Sequence, residues 1–318
     1  AAAGEYALTI DGVSGDLERS VPLLREAVAM RRDTQGGLHP DLAEAINNLA
    51  FLLEQSGKLE EAGTLLLQAL DMKRQVFEDA HPEVAMGLSN VAYIYHVQGD
   101  YEAAEPMYQE LIAVQKSLLG DQHPDVASSM HNLAFLYYEM GDSDRAKALE
   151  NEVLEMQRAT LGNEHPDVAQ SLNTIAMWSM DDGDLETAEA LLREAVAINT
   201  KIHGDDHPDV ASSMTLLANC LITQERFEEG LELAVTTRQI FAAALPDGHW
   251  RTAVATNAEG AALAGLERYA EAERLLLASH TILSEDSSAI PAFADLAAQR
   301  LVLLYQKWDK PERAATDL

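Results

Sequence analysis

The 318-residue chain is poor in cysteine, aromatics and positive charge. It has one Cys, 6% aromatic residues, and 22 Lys and Arg against 53 Asp and Glu, for a formal net charge of −31. Each scarcity excludes something. A lone Cys220 cannot form an intramolecular disulfide, and such usage fits a reducing compartment, so a cytoplasmic, intracellular setting is the expectation. At mid-helix, with no base signature beside it, Cys220 reads as buried and inert. The negative charge opposes binding to nucleic-acid phosphates and to anionic membrane surfaces, while it steers basic partners inward. No apolar run approaches the ~18 residues of a membrane-spanning helix. The opening "AAAGEYALTI" lacks the basic start and apolar stretch of a secretory signal. There is no glycine-rich phosphate loop, no H-E-x-x-H and no G-x-S-x-G, so the expectation is a non-enzyme with no catalytic residues, metal or cofactor.

What is present is alanine, leucine and a strict period. His-Pro occurs at residues 39, 81, 123, 165 and 207, and His249 continues the series with Trp250 in the proline slot. The spacing is 42 residues at every step. Glycine keeps the same period at Gly15, Gly57, Gly99, Gly141 and Gly183, after which Glu225, Glu267 and Asp309 take the slot. Two further columns hold small residues. One runs Ala50, Ala92, Ala134, Ala176, Ala218, Gly260, and the other Ala62, Ala104, Ala146, Ala188, Gly230, Ala272. Such a period marks an array of stacked units.

Each unit reads as two helices. Proline after histidine suits the first turn of a helix A, where its missing N–H leaves nothing unpaired. The acidic residue that follows complements the helix dipole. Helix A then runs about 15 residues to the glycine, which supplies a left-handed turn. A longer helix B follows, as in "YEAAEPMYQELIAVQKSLLG". Neither helix buries its apolar face alone, so units must stack, with the small columns where backbones approach. The expected fold is all-α: an α-solenoid, a right-handed superhelix of about seven antiparallel helix pairs. As one solenoid domain over 1–318, it divides into a partial repeat 1–38, repeats 39–80, 81–122, 123–164, 165–206, 207–248 and 249–290, and a partial or capping repeat 291–318. The array begins and stops within repeats, as a piece of a longer protein would.

The pattern "HPDVAxSxxNLAxLYxxxGDxxxAxxL" resembles the 42-residue tetratricopeptide repeat of kinesin light chains. "NNLAFLLEQSGKLEEAGTLLLQAL" and "QGDYEAAEPMYQELIAVQKSLLGDQHPDVA" carry the likeness most closely. It covers residues 15 to about 245 strongly and both ends weakly. The resemblance implies a concave groove, lined by helix A, that binds an extended or helical peptide. Matching Leu49-Ala50 to the family's Leu-Gly/Ala pair implies the groove columns. Asn47, Ser89, His131 and Asn173 form one, and Phe51, Tyr93, Phe135 and Met177 a second. Asn48, Asn90 and Asn132 form a third, with Tyr138 a further candidate. Two roles are open for Asn48, Asn90 and Asn132: bonding a peptide backbone, or tying adjacent helices. Phe51, Tyr93 and Phe135 are likewise either core residues or peptide anchors.

Positive charge is absent where a groove would lie. From Pro40 to the fifth His-Pro unit no helix A window contains Lys or Arg; the basic residues, Lys73, Arg74, Lys116, Arg158 and Lys201 among them, lie on helix B or in loops. The modes of this repeat superfamily that hold carboxylates or acidic cargo motifs therefore lack their cations here. The expected partner is a protein or peptide segment that is neutral or basic, with apolar anchors, and neither nucleic acid nor membrane. A scaffold acting through convex faces, ends or self-association is the alternative, and an acidic mimic of nucleic acid a remoter one. The His-Pro histidines recur one per repeat, too far apart to share a metal ion.

Overall fold

The computed structural model describes residues 17–286 and 288–314, which form fifteen helices and no strand. After α1 (Leu17–Gln35) the helices come in pairs. The pairs are α2 (Pro40–Gln55) with α3 (Leu59–Val76), α4 (Pro82–Gln98) with α5 (Tyr101–Leu119), and α6 (Pro124–Glu139) with α7 (Ser143–Leu161). They continue with α8 (Pro166–Asp181) and α9 (Leu185–His203), then α10 (Pro208–Thr223) and α11 (Phe227–Ala244). Last come α12 (Trp250–Gly265) with α13 (Tyr269–Glu285), and α14 (Pro291–Lys307) with the short α15 (Pro311–Ala314). The fold is an all-α solenoid. The helix A expected at the start of the chain, and its Gly15 turn, fall outside the described residues.

The His-Pro repeat is a capping device. Proline occupies the first helical position, so the first free donor is the N–H one residue on. The preceding histidine accepts that N–H through Nδ1: His39 from Asp41 at 3.1 Å, His81 from Glu83 at 3.1 Å, and His123, His165 and His207 from Asp125, Asp167 and Asp209 at 3.2 Å. A side-chain acceptor at this place is worth about 1 kcal/mol per helix. His249 caps Arg251 in the same way at 3.1 Å, which is why Trp250 replaces proline without losing the helix start.

Helix A stops as its sequence predicts. Gly57, Gly99, Gly141 and Gly183 have φ between 73 and 81°. Glu225, Glu267 and Asp309 hold the same turn at φ 61, 61 and 55°, a conformation that costs a side-chain-bearing residue roughly 1 kcal/mol or more. Every alanine of the two small columns is fully buried. At Gly230 and Gly260 even a methyl group is excluded. A Cβ would lie 2.7 Å from Ile222 Cγ1 in the first case and 2.8 Å from Leu276 Cγ in the second.

The described helices belong to two compact units, Ala1–Met156 and Gln157–Leu318. In the first, α1 to α6 pack in sequence, each on the next. One core cluster gathers Val126, Met130 and Val153. In the second, successive helices again pack on one another, and the A-helices α8, α10, α12 and α14 also touch in order. Cores there form around Leu192 with Leu217 and around Leu276 with Leu301.

The basic residues of helix B are tied into ion pairs. Arg74 reaches Glu110 at 2.6 Å and Arg158 reaches Glu194 at 2.8 Å, each 36 residues ahead on the next helix B, and Arg25 meets Glu61 in the same way. These arginines are thus held in ion pairs between successive B-helices.

Candidate peptide-binding site

Two clefts in the first unit gather half of the expected groove residues. The first, of about 320 Å³, lies between α2 and α4 and is lined by Asn47, Phe51, Glu54, Asn90 and Tyr93. The second, of about 530 Å³, is bordered by Tyr93, His96, Tyr101, Tyr108, Phe135 and Glu139, with Asn132 beside them. Tyr93 is the wall the two share. A helix repeat places these side chains in register: one position per helix A, displaced by one unit each time. Phe51 and Tyr93 are 58% and 49% exposed, so they stand out of the core rather than in it. Phe135 is half-buried, with its ring edge-on to His131 at 5.1 Å between centroids.

The polar groups are ordered by one another. Tyr93 donates its hydroxyl to Glu54 at 3.3 Å. Glu139 accepts from His96 Nε2 at 2.7 Å and also from Tyr101, and Tyr108 stands 3.4 Å from His96 Nδ1. With the carboxylate as acceptor, His96 Nε2 is the donor of that bond. Burial, then the Glu54 charge, raises the Tyr93 phenol pKa; burial and Glu139 do the same for Tyr101. Tyr108, almost fully buried, is pushed up to about 12 by burial, with Tyr93 and Glu139 adding to it. All three phenols are thus held in their neutral, hydrogen-bonding form. Among the described residues no lysine or arginine lines either cleft.

The remaining expected residues are placed differently. Asn48 and Ser89 are half-buried beside the first cleft's residues on α2 and α4 without lining it, and Tyr138 is half-buried on α6. His131 turns to α7, where Nδ1 is 2.9 Å from a carboxylate oxygen of Glu150, whose side chain is fully buried. Asn173 and Met177 belong to the second unit. Asn173 donates to Ser213 Oγ at 2.9 Å, and Met177 is exposed. The Oδ1 atoms of Asn47 and Asn173 are both buried without a hydrogen-bond partner. Of the neighbouring tyrosines, Tyr137 is buried and Tyr95 is half-buried. Cys220 is buried, with its thiol 3.5 Å from the Leu185 carbonyl and its pKa raised by that burial.

Two features escaped the sequence reading. His203 stacks on His207 at 4.3 Å between centroids, and both lie near Asp209, so one His-Pro histidine does have a second imidazole beside it. The Nδ1 of His207 is already engaged as the helix cap. The other feature is a third cleft, of about 310 Å³, in the second unit, lined by Ile222, Phe227, Ala261, Gly265, Leu303 and Arg300 among others. Arg300 donates to Asn257 Oδ1 at 2.7 Å and to Asn219 Oδ1 at 2.9 Å. Burial lowers its pKa to about 10. It stands in the faintest repeat of the chain, beyond the windows where the absence of Lys and Arg is legible.

Capped helix pairs on a 42-residue period, with small-residue columns where they cross, define an α-solenoid of the repeat-array class. The tetratricopeptide repeat model matches residues 10–75, 83–159 and 167–233, and the chain belongs to that family. Arrays of this family are typically non-enzymatic modules of protein–protein interaction. Among solved structures the chain is similar to a Podosopora anserina protein of kinesin light chain type with nearly identical TPR-like repeats. The two are 28% identical, with a TM-score of 0.58 over 66% of this chain and 99% of that one. BtubC (BKLC) from P. vanneervenii shares the fold at 22% identity and TM-score 0.60, over 74% of this chain and 95% of its own. So does a signal transduction ATPase with a tetratricopeptide repeat sensor from Pyrococcus horikoshii, at 16% identity and TM-score 0.62, over 98% of this chain and 48% of its own. No curated protein matches the chain significantly. No described helix is long and apolar enough to cross a membrane.

Proposed function

We propose that the chain is an interaction module that binds a neutral-to-basic protein segment along α2, α4 and α6. The observation that carries this reading is the pair of clefts sharing Tyr93. They expose aromatic rings, carry Glu54 and Glu139, and have no lysine or arginine in their walls. Exposed aromatics flanked by polar groups are the usual anchors of peptide interfaces. Asn47 lines the first cleft beside Phe51, with its amide oxygen buried and without a hydrogen-bond partner among the described residues. Asn90 and Asn132 flank the path on either side of Tyr93. An acidic segment would meet like charge and no cation, which costs rather than gains affinity.

An array of randomised 12-residue peptides tests this reading, probed with the wild-type protein and with Asn47→Ala and Tyr93→Ala. Neutral or basic peptides with apolar residues are expected to bind, and each substitution is expected to weaken them at least about tenfold, as loss of an interface anchor does. A preference for acidic peptides, or binding indifferent to both substitutions, would overturn it. In the second case a scaffold role through other surfaces becomes the better account.

A further inference from the structure

The second cleft carries more information than a generic groove. Its walls bring the rings of Tyr93, His96, Tyr101, Tyr108 and Phe135 around the carboxylate of Glu139. An aromatic face presents negative electrostatic potential, and a carboxylate beside it presents a full negative charge. The phenols are held neutral, so they offer ring faces and hydroxyls rather than further anions.

The same unit already shows such a group filled. Tyr137 donates its hydroxyl to Glu105 at 3.1 Å, and the Arg145 guanidinium lies over the Tyr137 ring at 4.3 Å. Arg145 also reaches Glu105 at 3.4 Å and Asp142 at 2.5 Å. Ring, hydroxyl and carboxylates together hold a cation there. Tyr101 bonded to Glu139 repeats the tyrosine–glutamate element in the second cleft, where the His96 imidazole also meets Glu139 and no lysine or arginine among the described residues lines the wall.

We propose that the second cleft is the seat of a lysine or arginine side chain carried by the bound segment. The proposal rests on the groove reading above and narrows it to one residue class at one subsite. The cationic head lies against the aromatic faces and pairs with Glu139. Its methylene stem runs along the Tyr93 and Phe135 rings, as long basic side chains do over apolar surface.

The test uses fluorescein-labelled 12-residue peptides taken from the randomised array, read by fluorescence anisotropy. Each Lys is replaced in turn by acetyl-lysine and each Arg by citrulline, which keep the length and remove the charge. One such replacement is expected to weaken binding to wild type about tenfold, the size of a desolvated cation–π contact with a charge pair. The same replacement is expected to matter less than about threefold in Glu139→Gln, and also in Tyr101→Leu, since the cycle isolates the pairwise term. Glu232→Gln, at an exposed site on α11, is expected to behave as wild type. No effect of neutralisation in wild type, or an equal effect in wild type and in both cleft variants, overturns the cation subsite. If Asn47→Ala and Tyr93→Ala still abolish binding in that event, the groove reading stands and only this proposal fails. If they do not, the groove reading itself has failed.

Discussion

The second cleft of the first unit and the cleft of the second unit occupy the same positions of the repeat, three periods apart. Tyr93 corresponds to Asn219, His96 to Ile222, Tyr101 to Phe227, Phe135 to Ala261 and Glu139 to Gly265. The scaffold around them is alike, since the A-helices start on a histidine cap and cross the B-helices at small residues in both. Only the lining differs. One version exposes phenols and a carboxylate. The other is mostly apolar, with Phe227 as its ring, and contains Glu225, Lys307 and Arg300, the last at the repeat position of Asn132. At the repeat positions of Tyr93 and His131 the second unit has amides, Asn219 and Asn257, engaged in holding a guanidinium. One backbone thus supports one cleft without lysine or arginine and another with both, because packing is carried by columns that the cleft residues do not share.

The largest effect that would break this comparison concerns Gly265. Its Cβ would lie 2.2 Å from the Phe227 ring, whose counterpart in the first unit is Tyr101, hydrogen-bonded to Glu139. Gly265→Ala is expected to lose about 2–3 kcal/mol in chemical denaturation, the cost of overpacking against a ring. Glu139→Ala is expected to lose less than about 0.5 kcal/mol, as an exposed site does. Equal losses would mean that the two clefts are not built alike.

The next effect is one of pH. Tyr108 has a folded-state pKa near 12 against an unfolded value of 10. Between these values the unfolded chain releases its proton first, so the neutral phenol's contribution is complete below pH 10 and lost as pH rises through 12. Urea denaturation of wild type and Tyr108→Phe is expected to diverge over that window by on the order of 2 kcal/mol, with the variant losing less stability. Parallel curves would show that Tyr108 is not held neutral by the fold.

The smallest effect sharpens the contrast between turns. Gly99 closes the helix bordering the second cleft, and Glu225 closes its counterpart at φ 61°. Glu225→Gly and Glu267→Gly are each expected to raise stability by up to about 1 kcal/mol, by removing a left-handed side-chain-bearing residue. Gly99→Ala is expected to lower it by about as much. A stability loss in the glutamate variants would show that those side chains contribute more than the strain costs.

Much of this molecule is legible in its sequence because a 42-residue period repeats each physical constraint. Pro40 and its successors mark helix starts, Gly57 and its successors mark helix ends, and buried alanines mark crossings. The capping role of histidine was less visible, since it depends on Nδ1 meeting an N–H two residues on in a conformation that only the folded turn provides. The candidate site was partly legible: the columns containing Asn47, Phe51, Asn90, Tyr93, Asn132 and Phe135 do converge on clefts. His131 breaks the column rule because Glu150, a helix B residue with no distinguishing pattern, captures it in the interior. Tyr101 and Tyr108 went unread as cleft residues because their positions are set by how helix B leans on helix A, and His96, on helix A itself, because only the folded stack brings Glu139 of the next repeat to it. Arg300 was hidden by the decay of the repeat at the end of the chain.

The central claim is that partner binding belongs to the α2, α4 and α6 face of the first unit. Hydrogen–deuterium exchange of the whole chain, with and without an array-selected basic peptide at saturation, tests it most directly. The account predicts slowed exchange over residues 40–55, 82–98 and 124–139, with residues 208–223, 250–265 and 291–307 unchanged. Protection confined to the latter segments, or to the B-helices alone, would contradict it.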